Sequence, residues 1–488
     1  MFRRRAVALF ISAALVAVGV PLAGQETPSL TNDQAVHAVQ RRLAALLAQL
    51  PKGTEAGLVV VDCDDETTWF AHQPQRPLKP ASVVKLFTTA AALQRFGPDF
   101  HYETRVYLHE EELLVLGGGD PGLGDERLAR RHGQPLHAEL DDWARLLKER
   151  GLTRLKTIAL DDRIFDRQLR HPDWPDAQAT AWYQAPVGGI NFNDNCLDAR
   201  FTAQDGRVTL LLQPDLPTSF FRNQLRAAVR HEPVATRAAD QDIFEFRGPV
   251  ARDDQFKPIS VRRPTVFFGF ALQHALEQRG VMLDGRVVRR MLTPTALAEA
   301  ELLDVRSTSL RHILWRCNTF SQNMFAECLL KSLAAYEPDG SRSGIEGSWE
   351  VGIRRLEETL WQLGIDLEGA ILRDGSGLSH ESRVTAEQVV QLLAHMRRHQ
   401  QGDLFVASLA QPGQEGTLRH RRWAAPALQN RLRAKTGTLK DVRSLAGYVQ
   451  RPDGRTLAFA LLINGDSSPA IRVQFAEALA EAGIEARP

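Results

Sequence analysis

At 488 residues, 43% hydrophobic and 24% charged, the chain has ordinary globular composition and more length than one core usually organises. Two or three domains are therefore expected, and disorder is not the default. Lys plus Arg at 60 against Asp plus Glu at 59 leaves a net charge of +1, which excludes an overall field that would gather nucleic acid or an acidic membrane surface.

In chain order, Arg3, Arg4 and Arg5 precede an apolar run over residues 6–20, followed by Pro21, Leu22, Ala23 and Gly24. That layout predicts a secretory signal over residues 1–24, because an apolar core of about 15 residues is shorter than the roughly 20 a spanning helix needs. An uncleaved N-terminal anchor is the alternative. No later stretch is long and apolar enough to span a bilayer, so the rest of the chain is expected in an exported compartment, with membrane association at most peripheral. Thr31 and Gln34 form a capping-box pair ahead of Ala35, Val36, Val39, Leu43, Leu46 and Leu47 at helical spacing, so an amphipathic helix opens the mature protein. Residues 57–62 and 68–72 read as a hairpin with an acidic turn. After Pro77 and Pro80, residues 82–96 carry good helix formers, which puts Ser82 at or within the first helical turn.

Between residues 98 and 299 the pattern changes to short strands and helices with many turn residues, consistent with one or two inserted mixed α/β domains. Further strands are predicted at 431–439, 444–450 and 456–463, then a helix over 469–482. Sequence-remote strands with helices at both chain ends predict an α+β domain, built from residues 25–97 and 300–488 around a central antiparallel sheet of about five strands. Cys63, Cys196, Cys317 and Cys328 are too few for a disulfide-built scaffold, and either pairing or four buried free thiols fits them. On one continuous helix Cys317 and Cys328 would stand about 16 Å apart, beyond a disulfide's reach of roughly 7 Å, so bridging them requires a break.

Three short motifs carry the chemistry. Ser82 and Lys85 lie three residues apart, one turn of helix, so hydroxyl and amine share a face and a neutral lysine can take the serine proton during attack on a carbonyl. Alone, the pair fits a capped helix with an exposed lysine equally well. Ser321-Gln-Asn323 follows, then Lys435-Thr436-Gly437 with Thr438 on an edge-like strand. Ser-x-x-Lys, Ser-Asp-Asn and Lys-Thr-Gly together are the signature of class A β-lactamases and penicillin-binding proteins.

With these motifs the chain resembles the low-molecular-mass penicillin-binding proteins of the D-alanyl-D-alanine carboxypeptidase/endopeptidase type, peptidase family S13. The likeness extends through Leu-Gly-Gly-Gly-Asp-Pro at 116–121, Ala-Pro-Val-Gly-Gly-Ile-Asn-Phe-Asn-Asp at 185–194, Asp-Gly-Ser-Gly-Leu-Ser at 374–379, Gly-Thr-Leu at 416–418 and Leu-Ala-Gly-Tyr-Val at 445–449. Gln322 and the pair Gly188, Gly189 depart from the family pattern without removing a reacting group. The resemblance implies that Ser82 forms an acyl-enzyme, Lys85 accepts its proton, Ser321 relays a proton to the leaving amine, and Asn323 holds Lys85 and the substrate amide. It further implies that Lys435, Thr436 and Thr438 grip a terminal carboxylate, that Gly437 lets the substrate backbone approach, and that the backbone N–H groups of Ser82 and Thr438 form the oxyanion hole. Partial burial and the charge of Lys435 are expected to keep Lys85 neutral. The implied partners are peptidoglycan stem peptides, with β-lactams as covalent inhibitors, in the periplasm or on the wall side of the membrane. A β-lactamase and a non-catalytic wall-binding scaffold are the alternatives.

Other features are read as structural. The fourteen histidines form no metal-ligand spacing, so no metal or other cofactor is expected. Gly117 to Gly122 matches a dinucleotide fingerprint formally, but Pro121 is awkward within it. Asp161 and Asp162 read as a solvated strand end, Asp374 and Ser376 as a structural loop near the cleft, and Arg419, His420, Arg421 and Arg422 as a solvated loop.

Overall fold

The computed structural model describes residues 32–481; the expected signal over residues 1–24 and Thr31 of the expected capping box lie outside the described residues. The predicted central sheet is present. Its order is Leu432–Leu439, Val442–Gln450, Thr456–Asn464, Glu55–Asp62, Thr68–His72, with every neighbouring pair antiparallel. Strands from the two chain ends meet because Glu55–Asp62 pairs along its whole length with Thr456–Asn464.

Alternation along those strands makes two cores. Leu58, Val60, Leu445, Phe459 and Leu461 face the helices Asn32–Ala48 and Ile471–Glu481, while Val59, Ala446, Ala458 and Leu462 face a helical layer on the other side. That second layer has Val84–Phe96 at its centre, packed by Leu310–Thr319, Asn323–Ala335, Trp349–Gln362 and Ala386–Arg398. Val84–Phe96 is apolar nearly all round, and every residue from Val84 to Leu93 is buried, as a helix with neighbours on all sides must be.

The insertion has its own five-stranded sheet, ordered Met282–Arg289, Arg154–Asp161, Glu112–Leu116, His101–His109, Glu301–Ser309, and two smaller sheets of four and three strands. Its closing strand pairs with His101–His109 down to Ser309, so the inserted sheet runs past residue 299 and the helical layer resumes at Leu310. One expectation is corrected here. Asp161 and Asp162 are buried: Asp161 binds Arg163 and the Leu292 N–H, and Asp162 pairs with Arg289. The stretch from Cys317 to Cys328 is broken at residues 320–322, between Leu310–Thr319 and Asn323–Ala335, although all four cysteines are free and buried. The glycines after Leu116 allow close packing: a Cβ at Gly117 would stand 2.3 Å from the Gly189 carbonyl oxygen, and one at Gly118 2.3 Å from that of Glu103.

Candidate active site

The serine turn is built from backbone first. Pro80 leads into a short 3₁₀ turn, Ala81–Val83, which runs directly into Val84–Phe96. Ala81 is held at φ +48°, a left-handed conformation that costs a non-glycine residue about 1–2 kcal/mol. Ser82 stays partly exposed at the helix entrance, and one turn on Lys85 is fully buried. The lysine Nζ lies 3.1 Å from Ser82 Oγ, 2.7 Å from Asn323 Oδ1 and 2.8 Å from the Ser376 carbonyl oxygen.

The second motif sits at the break between two helices. Ser321 occupies the left-handed region at φ +61°, and Gln322 caps Asn323–Ala335 by accepting from the Asn323 N–H. The Gln322 amide donates to Asp194 of the insertion at 2.6 Å, so this departure from the family pattern becomes a tie between insertion and site. Asn323 donates its Nδ2 to the Tyr183 carbonyl at 2.7 Å, which turns Oδ1 toward Lys85.

The third motif lies on Leu432–Leu439, an edge strand of the central sheet. Lys435, fully buried, donates to Ser321 Oγ at 2.7 Å and to the Thr436 carbonyl at 2.9 Å. The Ala434 N–H points away from the sheet to the Ala410 carbonyl, and by strand alternation those of Thr436 and Thr438 face the same open edge. All three motifs thus converge, with Ser82, Lys85 and Asn323 in one bonded cluster and Ser321 and Lys435 in another.

A family model for the D-Ala-D-Ala carboxypeptidase 3 (S13) family matches residues 39–482. The chain belongs to this family. It is 30% identical over 452 residues to a D-alanyl-D-alanine carboxypeptidase from an Actinomadura species, covering 86% of this chain and 79% of that one. To the D-alanyl-D-alanine carboxypeptidase DacB of Haemophilus influenzae it is 25% identical, covering 87% and 88%. The crystal structure of penicillin binding protein 4 (dacB) from H. influenzae superposes with a TM-score of 0.72 at 23% identity, over 90% of this chain and 98% of that one, and shares the fold.

In this S13 family member, burial drives the Lys85 amine from the ordinary 10.5 down to about 8, against the opposing pull of Cys317, Glu327 and Asp374. Burial and the neighbouring charge of Lys85 push Lys435 well below its ordinary value as well. Mutual repulsion therefore falls chiefly on Lys435, whereas Lys85 is governed by its own desolvation. An ammonium at Lys85 has three donors for three acceptors. The neutral amine keeps two, for Asn323 and Ser376, and its lone pair then faces the Ser82 hydroxyl.

Sequence reasoning missed several parts. The Ser376 carbonyl binds Lys85 directly, so the loop at 374–379, read only as near the cleft, reaches into it. Glu327, fully buried one turn after Asn323, accepts from the Gly375 N–H and Trp349 Nε1, each at 2.8 Å, and fixes that loop from behind. The turn dipeptides Asp-Gly and Ser-Gly were the available signal, but a backbone acceptor has no residue type to search for. Gly437 also has a structural reason that the sequence did not show. A Cβ there would stand 2.6 Å from the Pro80 carbonyl oxygen, so glycine lets the edge strand lie against the serine turn.

Proposed function

We propose that this protein is a serine DD-peptidase that hydrolyses D-alanyl-D-alanine-type bonds of peptidoglycan stem peptides, as carboxypeptidase, endopeptidase or both. The observation that carries the reading is the Lys85 amine 3.1 Å from Ser82 Oγ, with two further acceptors orienting it. As Lys85 takes the hydroxyl proton, Ser82 Oγ attacks the penultimate D-alanine carbonyl. The C–N bond then breaks, and the departing nitrogen takes up the proton that Lys85 received, relayed through the Ser321 hydroxyl, which Lys435 holds by a hydrogen bond. Lys85, neutral again, deprotonates the water molecule that cleaves the ester, and its proton returns to Ser82 Oγ. Backbone N–H groups of Ser82 and Thr438 hold the developing oxyanion, an element whose loss typically costs roughly 10²- to 10³-fold in rate. Lys435, Thr436 and Thr438 take the terminal carboxylate, whose negative charge favours the protonated form of Lys435.

β-Lactams present the same reactive carbonyl and acylate Ser82. The N-terminal signal layout supports action outside the cytoplasm, in the periplasm or on the wall side of the membrane. The name of the Actinomadura relative, D-alanyl-D-alanine carboxypeptidase, supports the substrate class. Intact-protein mass spectrometry of the mature chain and its Ser82→Ala variant, after exposure to penicillin or to a pentapeptide ending in D-Ala-D-Ala, tests the proposal. The expected result is a stable penicillin adduct on the unsubstituted protein alone, with D-alanine released from the peptide. Rapid penicillin turnover without peptide cleavage would instead identify a β-lactamase, and no acylation by either compound would identify a scaffold.

A further inference from the structure

Arg472 stands at the start of the C-terminal helix Ile471–Glu481, 7% exposed, and among the described residues no carboxylate pairs with it. Its Nη1 donates to the Gly437 carbonyl at 3.0 Å, to Thr438 Oγ1 at 3.1 Å and to the Ser444 carbonyl at 3.4 Å, while its Nε has no partner. The charged groups that bear on it are themselves cationic: Arg443, opposite Thr438 in the strand register, Arg422 of the exposed basic loop, and Lys435. Burial and the two arginines lower its pKa to about 10, so it remains a cation at neutral pH. A buried cation without a counter-ion is unfavourable, and this one is retained directly behind the edge strand of the site.

The hydroxyl of Thr438 links that charge to the cleft. Its oxygen accepts from Arg472, and its single proton is left for a group on the exposed side of the residue, where an anion is the complementary ligand. We propose that Arg472 is a specificity-determining positioning residue, which orients the Thr438 hydroxyl and supplies the positive charge that selects peptides ending in a free carboxylate. The inference rests on the peptidase reading above and deepens it. It also gives the buried cation its counter-ion, present only while substrate is bound.

The test compares kcat/KM for an acylated D-Ala-D-Ala peptide and for the same peptide with a C-terminal amide, in the unsubstituted protein and in Arg472→Gln. The acid-to-amide ratio is expected to fall about ten- to one-hundredfold in the variant, chiefly through KM for the acid. A ratio left unchanged, or both substrates losing activity in step, would overturn the inference. Arg472→Met, which replaces a buried cation that has no counter-ion with an apolar side chain of similar length, keeps the test decisive if Arg472→Gln does not fold. There too the ratio must fall, and an unchanged ratio overturns the inference. An unsubstituted protein that cleaves neither peptide refutes the peptidase reading itself, whereas cleavage with an untouched ratio refutes only the role of Arg472.

Discussion

Lys85 shows how one buried side chain sets both chemistry and stability. Its folded pKa of about 8 means that the neutral base is the minor form at pH 7, so kcat/KM should rise with pH through an acid limb near 8. Glu327, raised to about 7 by burial and by Asp374, holds the Lys85 value up when ionised. Glu327→Gln should therefore move the limb to lower pH, read from pH profiles of acylation; an unmoved limb would show that Glu327 only braces the loop. For stability the sign follows from a base whose pKa is lower folded than unfolded. The folded state pays for desolvating Lys85 below pH 8, and that penalty fades as pH rises from 8 toward the unfolded value of 10.5. Lys85→Met should accordingly be inactive, and its stability should lack the rise with pH between 8 and 10.5 that the unsubstituted protein shows, measured by denaturant titration across that range. The serine and lysine were legible because a helical turn brings positions three apart together wherever it occurs. Glu327 was not, since nothing local marks a carboxyl that acts from beneath.

At the scale of elements, the site depends on three backbones meeting at the serine turn. Pro80 and Ala81 are touched by the loop at 374–379 on one side and by the edge strand on the other, and glycine stands at each contact. Gly377 has φ +74°, and a Cβ on it would fall 1.9 Å from the Ala81 carbonyl oxygen. Gly377→Ala should therefore push the loop, and the Ser376 carbonyl with it, away from Lys85. A misplacement near 1 Å commonly costs about 10²-fold in rate, so acylation by penicillin should slow by about that much. The accompanying stability loss should be about 1–3 kcal/mol, the usual range for an overpacked contact, measured by denaturant titration. The central strands were legible from alternation and turn residues, and the edge position of Lys435 to Leu439 was expected. The short break that lifts Ser321 to positive φ was not, because residues 317–328 carry helix-compatible residues throughout and only packing against Asp194 and Ser408 separates the two helices.

Over the whole molecule the insertion forms part of the site's wall. Trp174 donates to Asp374 at 2.9 Å, Tyr183 binds Asn323, and Asp166 pairs with Lys331, all reaching from the insertion into the helical layer. Phe165, Trp174 and Val187 join the same apolar core as Leu86, Phe87 and Phe325. Arg316 makes the firmest clamp: 3% exposed, it pairs with Asp125 at 2.6 Å and Asp194 at 2.8 Å, and Asp194 also holds Gln322. Arg316→Gln leaves two carboxylates without their cation and should cost about 3–5 kcal/mol in chemical denaturation, with reduced acylation because the Ser321 loop loses its anchor. By itself the sequence determined which groups are candidates for reaction, the strand and helix periods, and the division into a two-ended sheet and an insertion, because spacing and hydrophobic pattern are properties of neighbouring residues. Tertiary structure alone decided which distant groups stand around the candidate site: the Ser376 carbonyl, Glu327, Asp194 and, behind the edge strand, Arg472. Their roles arise from burial and close approach across hundreds of residues, where electrostatics and packing act through space and leave no local pattern in the chain.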